Sequence, residues 1–91
     1  MSSYEWNAKK AEANRRKHGV TFLEAEEALD DPRSHEHPDT EHSFGDVRIR
    51  TIGYTMKAKL IVVVTSVDGP RPRIISARRA TKRERDAYTN R

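Results

Sequence analysis

The sequence contains no cysteine. Disulfide bonds and thiolate metal sites are therefore excluded, and neither can stabilise the fold or carry its chemistry. Apolar residues are also scarce, at 34% against 35% charged residues. No apolar run approaches the length of a membrane span, and the polar N-terminus lacks the hydrophobic core of a signal peptide. We therefore expect a cytoplasmic protein with no membrane segment.

The small size predicts a single domain, residues 1–91, with a small core. Low apolar content combined with many charges is typical of disordered chains. One dense apolar run, LIVVVTSV at residues 60–67, argues instead for a folded domain. We expect marginal stability, which a partner would help to complete.

The charges are segregated along the chain. Residues 24–46 contain nine acidic residues and one basic residue, whereas residues 71–91 contain eight basic and two acidic residues. A basic end set against an acidic middle suits nucleic acid on one surface. The acidic stretch would then meet a cationic partner, or be masked within the protein itself.

The last third of the chain predicts a strand followed directly by a helix. Alternating and β-branched residues run from Arg73 to Arg79, and Thr81 with Glu84 forms a capping box that starts a helix at Lys82. A helix N-terminus is already positive, so cations there cost stability unless a polyanion such as phosphate lies nearby. The alternative is a solvated basic end. The cations at this junction are Arg78, Arg79, Lys82 and Arg83.

The first third predicts a helical hairpin. We expect a helix that begins at Trp6, with Asn7 as its N-cap or a first-turn residue, because the run from Asn7 to His18 is rich in Ala, Lys, Arg and Glu. Gly19 should end this helix. Thr21 and Glu24 form a second capping box, which opens a helix through Leu29.

The middle of the chain predicts strands. Val47–Tyr54 alternates, with Arg48 and Arg50 on one face, and is typical of a half-buried strand. Leu60–Val67 is apolar on both faces and should be the central strand. Ser34–His37 is a candidate short edge strand.

Short connections between the strands favour an antiparallel meander. We therefore predict an α+β fold: an N-terminal helical hairpin, an antiparallel sheet of three to four strands, and a C-terminal helix.

Six segments, taken in order, match the pattern of one known family. They are EWNAKKAEANRRKHGVTF (5–22), DDP (30–32), HSFGDVR (42–48), IGY (52–54), LIVVVTS (60–66) and RIISARRATKRERDAY (73–88). Together they cover most of the chain and resemble the BrnT toxins of BrnT–BrnA toxin–antitoxin pairs, which have a RelE-like fold. The first and last segments are specific to that family. Two positions depart from it: Gly45-Asp46 where the family usually has Gly-Glu, and Val64-Thr65 where it tends to have an aromatic-Thr pair.

The resemblance implies a metal-independent endoribonuclease that acts on cellular RNA and uses no cofactor. It also implies a cognate DNA-binding antitoxin, a BrnA-like ribbon–helix–helix protein encoded alongside. DNA would be bound only through this antitoxin, in a complex that represses its own promoter.

Metal-free RNA cleavage requires deprotonation of the 2′-OH, stabilisation of the phosphorane and protonation of the leaving 5′-oxygen. We expect Lys10, at the family position on the first helix, to stabilise charge together with Arg48 and Arg78. His42 and Asp46 are the expected proton-transfer residues. The alternatives are an ordinary loop position for His42 and a simple ion pair with Arg48 for Asp46. The expected RNA-binding residues are Arg50, Arg79, Lys82 and Arg83. For each cation, the alternative is a solvated surface position.

The remaining histidines allow several interpretations. His18 could donate a proton or hydrogen-bond the end of the first helix, and the second role is favoured. His35 and His37 alternate on one strand face and could bind a metal with His42 or Asp39. No recognisable spacing motif supports this, so we predict no metal site.

The aromatic residues at the two ends favour packing. Tyr88 could stack on a base, but a short helix with few apolar residues needs it for docking, and Trp6 is expected in the core. A second function remains open, a non-catalytic nucleic-acid- or antitoxin-binding module of the same fold. A proton-transfer group beside the arginines would discriminate between the two.

Overall fold

The computed structural model describes residues 3–39 and 47–90. Within these ranges the four strands form one antiparallel sheet in the order β1-β2-β3-β4. The α+β prediction is confirmed, including the short edge strand. The elements are α1 (Ala8–His18), α2 (Phe22–Leu29), β1 (His35–Pro38), β2 (Arg48–Tyr54), β3 (Leu60–Ser66), β4 (Arg73–Arg79) and α3 (Lys82–Thr89). In the described part of the chain, no helix is both long and apolar enough to cross a membrane.

Both predicted capping boxes are present. Thr21 Oγ1 accepts the Glu24 N–H at 3.1 Å, and the Glu24 carboxylate accepts the Thr21 N–H at 3.0 Å. Thr81 and Glu84 repeat the arrangement at 3.1 and 2.8 Å. Each box satisfies backbone donors that a helix start would otherwise leave without partners. The local sequence therefore sets where α2 and α3 begin.

Asn7 and Gly19 set the two ends of α1, which begins at Ala8, two residues after the expected start at Trp6. The Asn7 side chain accepts the N–H groups of Lys9 and Lys10, which makes Asn7 the N-cap. Gly19 ends the helix with φ 69°, a left-handed conformation that glycine adopts without a steric penalty.

One side of the sheet, here called the hairpin face, is covered by α1 and α2. Its core residues are Val20, Phe22, Ala25, Ala28, Ile61, Val63, Ile74 and Ala77. Gly53 lies on β2 beneath the end of α2, and a Cβ added there would lie 2.5 Å from the Ala28 carbonyl oxygen. The absent side chain therefore lets α2 approach the sheet closely.

A buried asparagine connects α1 to the edge of the sheet. Asn14 is 7% exposed. Its Nδ2 donates to the carbonyls of Val20 at 3.0 Å and Ala77 at 2.7 Å, and its Oδ1 accepts the Ala77 N–H at 3.1 Å. The two bonds to Ala77 satisfy backbone groups on the edge of β4 that β3 does not pair, and the third binds the carbonyl of Val20, which follows α1. Asn14 thus makes the hydrogen bonds to Ala77 that a neighbouring strand would otherwise make.

The residues before α1 lie along the same edge. The Glu5 N–H donates to the Pro72 carbonyl at 3.0 Å, and the Ile74 N–H donates to the Glu5 carbonyl at 2.9 Å. Trp6 follows, with its ring edge-on to Phe22 at 6.1 Å between centroids. Trp6 is half-buried against the core, as predicted.

The other side of the sheet, here called the open face, carries α3. A second apolar cluster joins Leu60, Val62, Ala80 and Tyr88, with Ile52 packed against it. Tyr88 is buried, and its hydroxyl donates to the Arg33 carbonyl at 3.1 Å. The packing role predicted for Tyr88 is confirmed. Because β3 supplies buried residues to both clusters, it is the central strand, as predicted.

Candidate functional site

The open face brings basic side chains from neighbouring strands together. Side chains alternate along a strand, so Arg48, Arg50 and Ile52 share one face of β2. Arg50 lies opposite His37 on β1 and opposite Val64 on β3. An imidazole and a guanidinium are therefore neighbours across the β1–β2 pair.

The adjacent row across the sheet ends in a third arginine. His35 lies opposite Ile52, Ile52 opposite Val62, and Val62 opposite Arg78. Two of the predicted charge-stabilising residues, Arg48 and Arg78, thus lie on the same face as Arg50. The structure also brings two histidines to that face.

A cavity of about 370 Å³ lies between α3 and this part of the sheet. Glu84, Ala87 and Tyr88 are spaced at i, i+3 and i+4 and line it from one face of α3. The sheet supplies the remaining lining residues, which are His35, His37, Arg50, Ile52 and Val62.

Aromatic and imidazole rings form a continuous cluster at this cavity. The His35 ring lies 6.3 Å from that of His37 and 5.9 Å from that of Tyr88, centroid to centroid. Tyr54 meets Tyr88 edge-on at 5.5 Å. Burial raises the pKa of Tyr88, and the nearby Asp31 carboxylate raises it further. Tyr88 is therefore a neutral phenol at physiological pH.

Arg78 is held by a carboxylate on α3. Its guanidinium donates two hydrogen bonds to Glu84, at 2.8 and 2.9 Å. The hydrogen bond from Arg78 is the main cause that lowers the pKa of Glu84 to about 2, and the Thr81 backbone N–H lowers it further. The same pairing raises the pKa of Arg78. The two side chains therefore remain charged and fixed relative to each other.

Arg50 differs from Arg78 in its partners. It is half-buried at the cavity, and no carboxylate pairs with it within residues 3–39 and 47–90. A buried or half-buried cation without a counter-ion attracts an anion from solution. Arg50 can therefore pair with an anion from solution.

The other predicted cations lie elsewhere. Lys10 is exposed on α1, which packs on β4 and on the core of the hairpin face, so the structure does not group it with the open-face arginines. Arg79 is exposed at the end of β4, opposite Ile61, so strand alternation places it toward the hairpin face. Lys82 pairs with Asp86 at 3.0 Å. Arg83 is exposed on α3 near the junction.

The predicted proton-transfer residues, His42 and Asp46, lie outside the described residues. His18 is half-buried at the end of α1. Among the described residues, no group of three or more His, Asp or Glu side chains is placed to hold a metal ion. His35 and His37 line the cavity beside α3.

Sequence reasoning missed the cavity, although its residues carried signals. His35 and His37 alternate on the predicted edge strand, which places both rings on one face. Glu84 was identified only as a capping residue, and its pairing with Arg78 needs the tertiary placement of α3 on the sheet. A buried Asn14 was also missed, although asparagine within a helix is unfavourable and suggests a specific hydrogen-bonding role.

The antiparallel sheet has one face covered by a helical hairpin and another face that carries arginines. This α+β architecture is suited to binding a polyanion. Comparison with known proteins specifies the family. The family model described as ribonuclease toxin, BrnT, of type II toxin–antitoxin system matches residues 6–84. The chain therefore belongs to the BrnT family of ribonuclease toxins of type II toxin–antitoxin systems, which confirms the resemblance identified from the sequence.

A solved structure agrees with this assignment. The fold is similar to the 1.1 Å crystal structure of the Brucella abortus ribonuclease toxin BrnT, with a TM-score of 0.66 and 26% sequence identity. The match covers 87% of this chain and 96% of that one. No curated protein sequence matches the chain.

Proposed function

We propose that this BrnT-family protein is a metal-independent endoribonuclease that cleaves cellular RNA on the open face of its sheet. The observation that supports this site is the placement of Arg48, Arg50 and Arg78 on one face, with two imidazoles on the adjoining strand. Positioned cations of this kind stabilise the charge that develops on a phosphorane. The alternative is a non-catalytic module that binds nucleic acid or antitoxin on the same face.

The proposed roles divide between charge and protons. Arg50 binds the scissile phosphate, and Arg48 and Arg78 stabilise its developing charge. His37 lies opposite Arg50 and has an imidazole that can accept or donate a proton, so it joins His42 as a proton-transfer candidate. Asp46 remains proposed as a base.

The outlying cations have a weaker proposed role. Because α1 belongs to the other layer, we expect Lys10 to affect RNA binding more than the chemical step. A role in following the RNA backbone is proposed for Arg79, Lys82 and Arg83, which lie at the strand-to-helix junction and in the first turn of α3.

The decisive experiment is single-turnover cleavage of a short RNA with saturating protein in EDTA. We expect Arg50→Ala, Arg48→Ala and Arg78→Ala each to cleave on the order of a hundredfold more slowly than wild type. Arg16→Ala is the matched control, because Arg16 is an exposed arginine on α1 with a 76% exposed side chain. Its cleavage rate should be unchanged.

Three outcomes would contradict the proposal in different ways. Wild-type rates for all three open-face variants at saturation would place the chemistry elsewhere. Cleavage that stops in EDTA and returns with a divalent ion would contradict the proposal that the enzyme needs no metal. Tight RNA binding without any cleavage would favour the non-catalytic alternative.

We further propose that the partner is a BrnA-like ribbon–helix–helix antitoxin and that DNA is bound only through it. The sequence suggested that the acidic stretch meets this partner, but several of its carboxylates are engaged internally. Glu24 pairs with Lys59 at 3.1 Å, Glu27 accepts the Met56 N–H at 3.0 Å, and Asp31 accepts the Tyr54 N–H at 2.9 Å. Internal masking therefore explains part of the charge segregation.

The pairing is tested by mixing the purified protein with the antitoxin encoded beside it. A complex should form with a raised Tm, because a partner that binds only the folded state stabilises it. The complex should shift promoter DNA in a mobility assay, and the toxin alone should not. Failure to form a complex would contradict the partner assignment while leaving the ribonuclease proposal intact.

A further inference from the structure

The cavity beside α3 is lined by rings and by apolar side chains, which are the kinds of group that hold a nucleobase. Its rings come from His35, His37 and Tyr88, and its apolar floor comes from Ile52 and Val62. Bases that are unstacked from single-stranded RNA are bound between aromatic or imidazole rings. The volume of about 370 Å³ lies at the lower end of the range found for small-molecule sites.

The cavity is electrostatically polarised. Arg50 lies on the sheet side and Glu84 on the α3 side. A phosphate is attracted more strongly to the Arg50 guanidinium than to the neutral Arg78–Glu84 pair, so a nucleotide has one favourable orientation. Its base then faces α3. Glu84 Oε2 accepts one hydrogen bond from Arg78, which leaves that oxygen able to accept an N–H from a base edge.

The walls are held before any ligand arrives. Tyr88 is fixed by its hydrogen bond to Arg33 and by its contact with Tyr54. Glu84 is fixed by Arg78 and by the cap of α3. Fixed walls reduce the entropy lost on binding.

From these observations we propose that the cavity binds one unstacked nucleobase of the RNA substrate, with the adjoining phosphate on Arg50. The inference rests on the proposed function, because it takes RNA as the substrate. It adds that one base is removed from the stack and seated against α3. Residues of the cavity, in particular Glu84 and Tyr88, would then contribute to the choice of cleavage site.

Binding is tested first without cleavage, using ligands that lack a phosphodiester. The four nucleoside 3′-monophosphates, the corresponding nucleosides and inorganic phosphate are each titrated into the wild-type protein and followed by NMR. A monophosphate should bind more tightly than its nucleoside and more tightly than phosphate. The perturbed signals should include the rings of His35, His37 and Tyr88. Phosphate binding as tight as nucleotide binding would overturn the proposal.

Two variant pairs test the location. Ala87→Trp fills the cavity from α3, and Arg85→Trp adds the same ring at another exposed position of that helix. His37→Ala removes a wall, and Glu36→Ala is its exposed neighbour on β1, with a side chain on the opposite face. We expect Ala87→Trp to abolish nucleotide binding and His37→Ala to weaken it about fivefold to a hundredfold. Both controls should bind as wild type does.

The outcomes separate this inference from the proposed function. Unchanged nucleotide affinity in Ala87→Trp would overturn the base site, and slow cleavage by Arg50→Ala would still support the ribonuclease. Nucleotide binding that Ala87→Trp abolishes would support the base site even if the wild-type protein cleaved no RNA. A circular dichroism spectrum that matches wild type establishes that each variant is folded before its nucleotide affinity is compared.

Discussion

The two faces of the sheet use the same four strands in different ways. The hairpin face is covered by two helices, and its core side chains, among them Ile61 and Val63, are fully buried. Asn14, a buried polar residue on this side of the sheet, makes three hydrogen bonds to backbone groups. The open face is covered at one end by α3, and it presents Arg48, Arg50 and the Arg78–Glu84 pair.

From this difference we expect the hairpin face to contribute more of the stability and the open face to carry the proposed RNA binding. A small domain has a limited core, so the hairpin face must supply much of the free energy of folding. Charged groups on the open face would cost stability if they were fully buried, and partial cover lets them remain hydrated. Substitutions on the hairpin face should therefore change the free energy of unfolding, and substitutions on the open face should change RNA binding and cleavage.

The largest effect is expected from Asn14→Ala. The change leaves a buried N–H and two carbonyls without their partner, so we expect a loss of about 3 kcal/mol in the free energy of unfolding. Urea denaturation measures it. Asn90→Ala, an exposed asparagine after α3, is the control and should change stability little. A loss below about 0.5 kcal/mol for Asn14→Ala would show that the hairpin face does not depend on this contact.

A smaller loss is expected from Gly53→Ala. The added Cβ would lie 2.5 Å from the Ala28 carbonyl oxygen, so α2 must move away from the sheet at a cost of about 1–3 kcal/mol. Gly69→Ala is the matched control, because the nearest atom to its added Cβ is 3.7 Å away. Thermal unfolding of both variants provides the comparison. Equal Tm values for the two would contradict the close approach of α2.

The smallest change in stability is expected from Glu84→Gln. Unlike the two hairpin-face variants, it should also change RNA affinity. Glutamine can still serve in a capping box, so the change mainly removes the charge beside Arg78. We expect a loss of about 1 kcal/mol in stability, because the pair is partly solvated. RNA binding should tighten by about fivefold at low salt, since the arginine loses its competing anion.

Glu24→Gln is the control for this variant, because Glu24 has the same place in the other capping box and pairs with Lys59. It should lose similar stability without changing RNA affinity. Fluorescence anisotropy with labelled RNA measures the affinity. Equal affinity for both variants and wild type would mean that Glu84 does not compete with RNA for Arg78.

The same pair predicts a pH dependence. The folded-state pKa of Glu84 is about 2, below its ordinary value of 4.5. A depressed pKa contributes stability that is fully present above pH 4.5 and is lost as the pH falls toward 2. The stability difference between wild type and Glu84→Gln should therefore narrow over that window. A difference that stays constant from pH 6 to pH 2 would contradict the assigned cause.

Much of the fold was predictable because local signals set it. The capping boxes at Thr21 and Thr81 fixed two helix starts, Gly19 fixed a helix end, and the alternation of β2 fixed which of its residues share a face. Boundaries differed by one or two residues, as at β1, which begins at His35 where Ser34 was expected. Hydrogen-bonding residues and side-chain periodicity act over a few positions, so the sequence displays them directly.

The site was predictable only in part, because its members meet through tertiary placement. The shared face of Arg48 and Arg50 follows from strand alternation, and Arg78 joins them through the register of β3 with β4. Neither the pairing of Arg78 with Glu84 nor the distance between Lys10 and the open face can be derived from local pattern. Both depend on where a helix lies against the sheet.

The edge contacts of β4 also constrain the order in which the chain can assemble. Asn14 bonds to Ala77 across 63 positions of sequence, and Glu5 bonds to Pro72 and Ile74. The first helix therefore cannot reach its final position on a ribosome until β4 has been synthesised and has left the exit tunnel. Contacts that join distant parts of a chain form late and slow its folding. A nascent copy consequently lacks the completed sheet, and with it the arranged arginines, until β4 has left the exit tunnel.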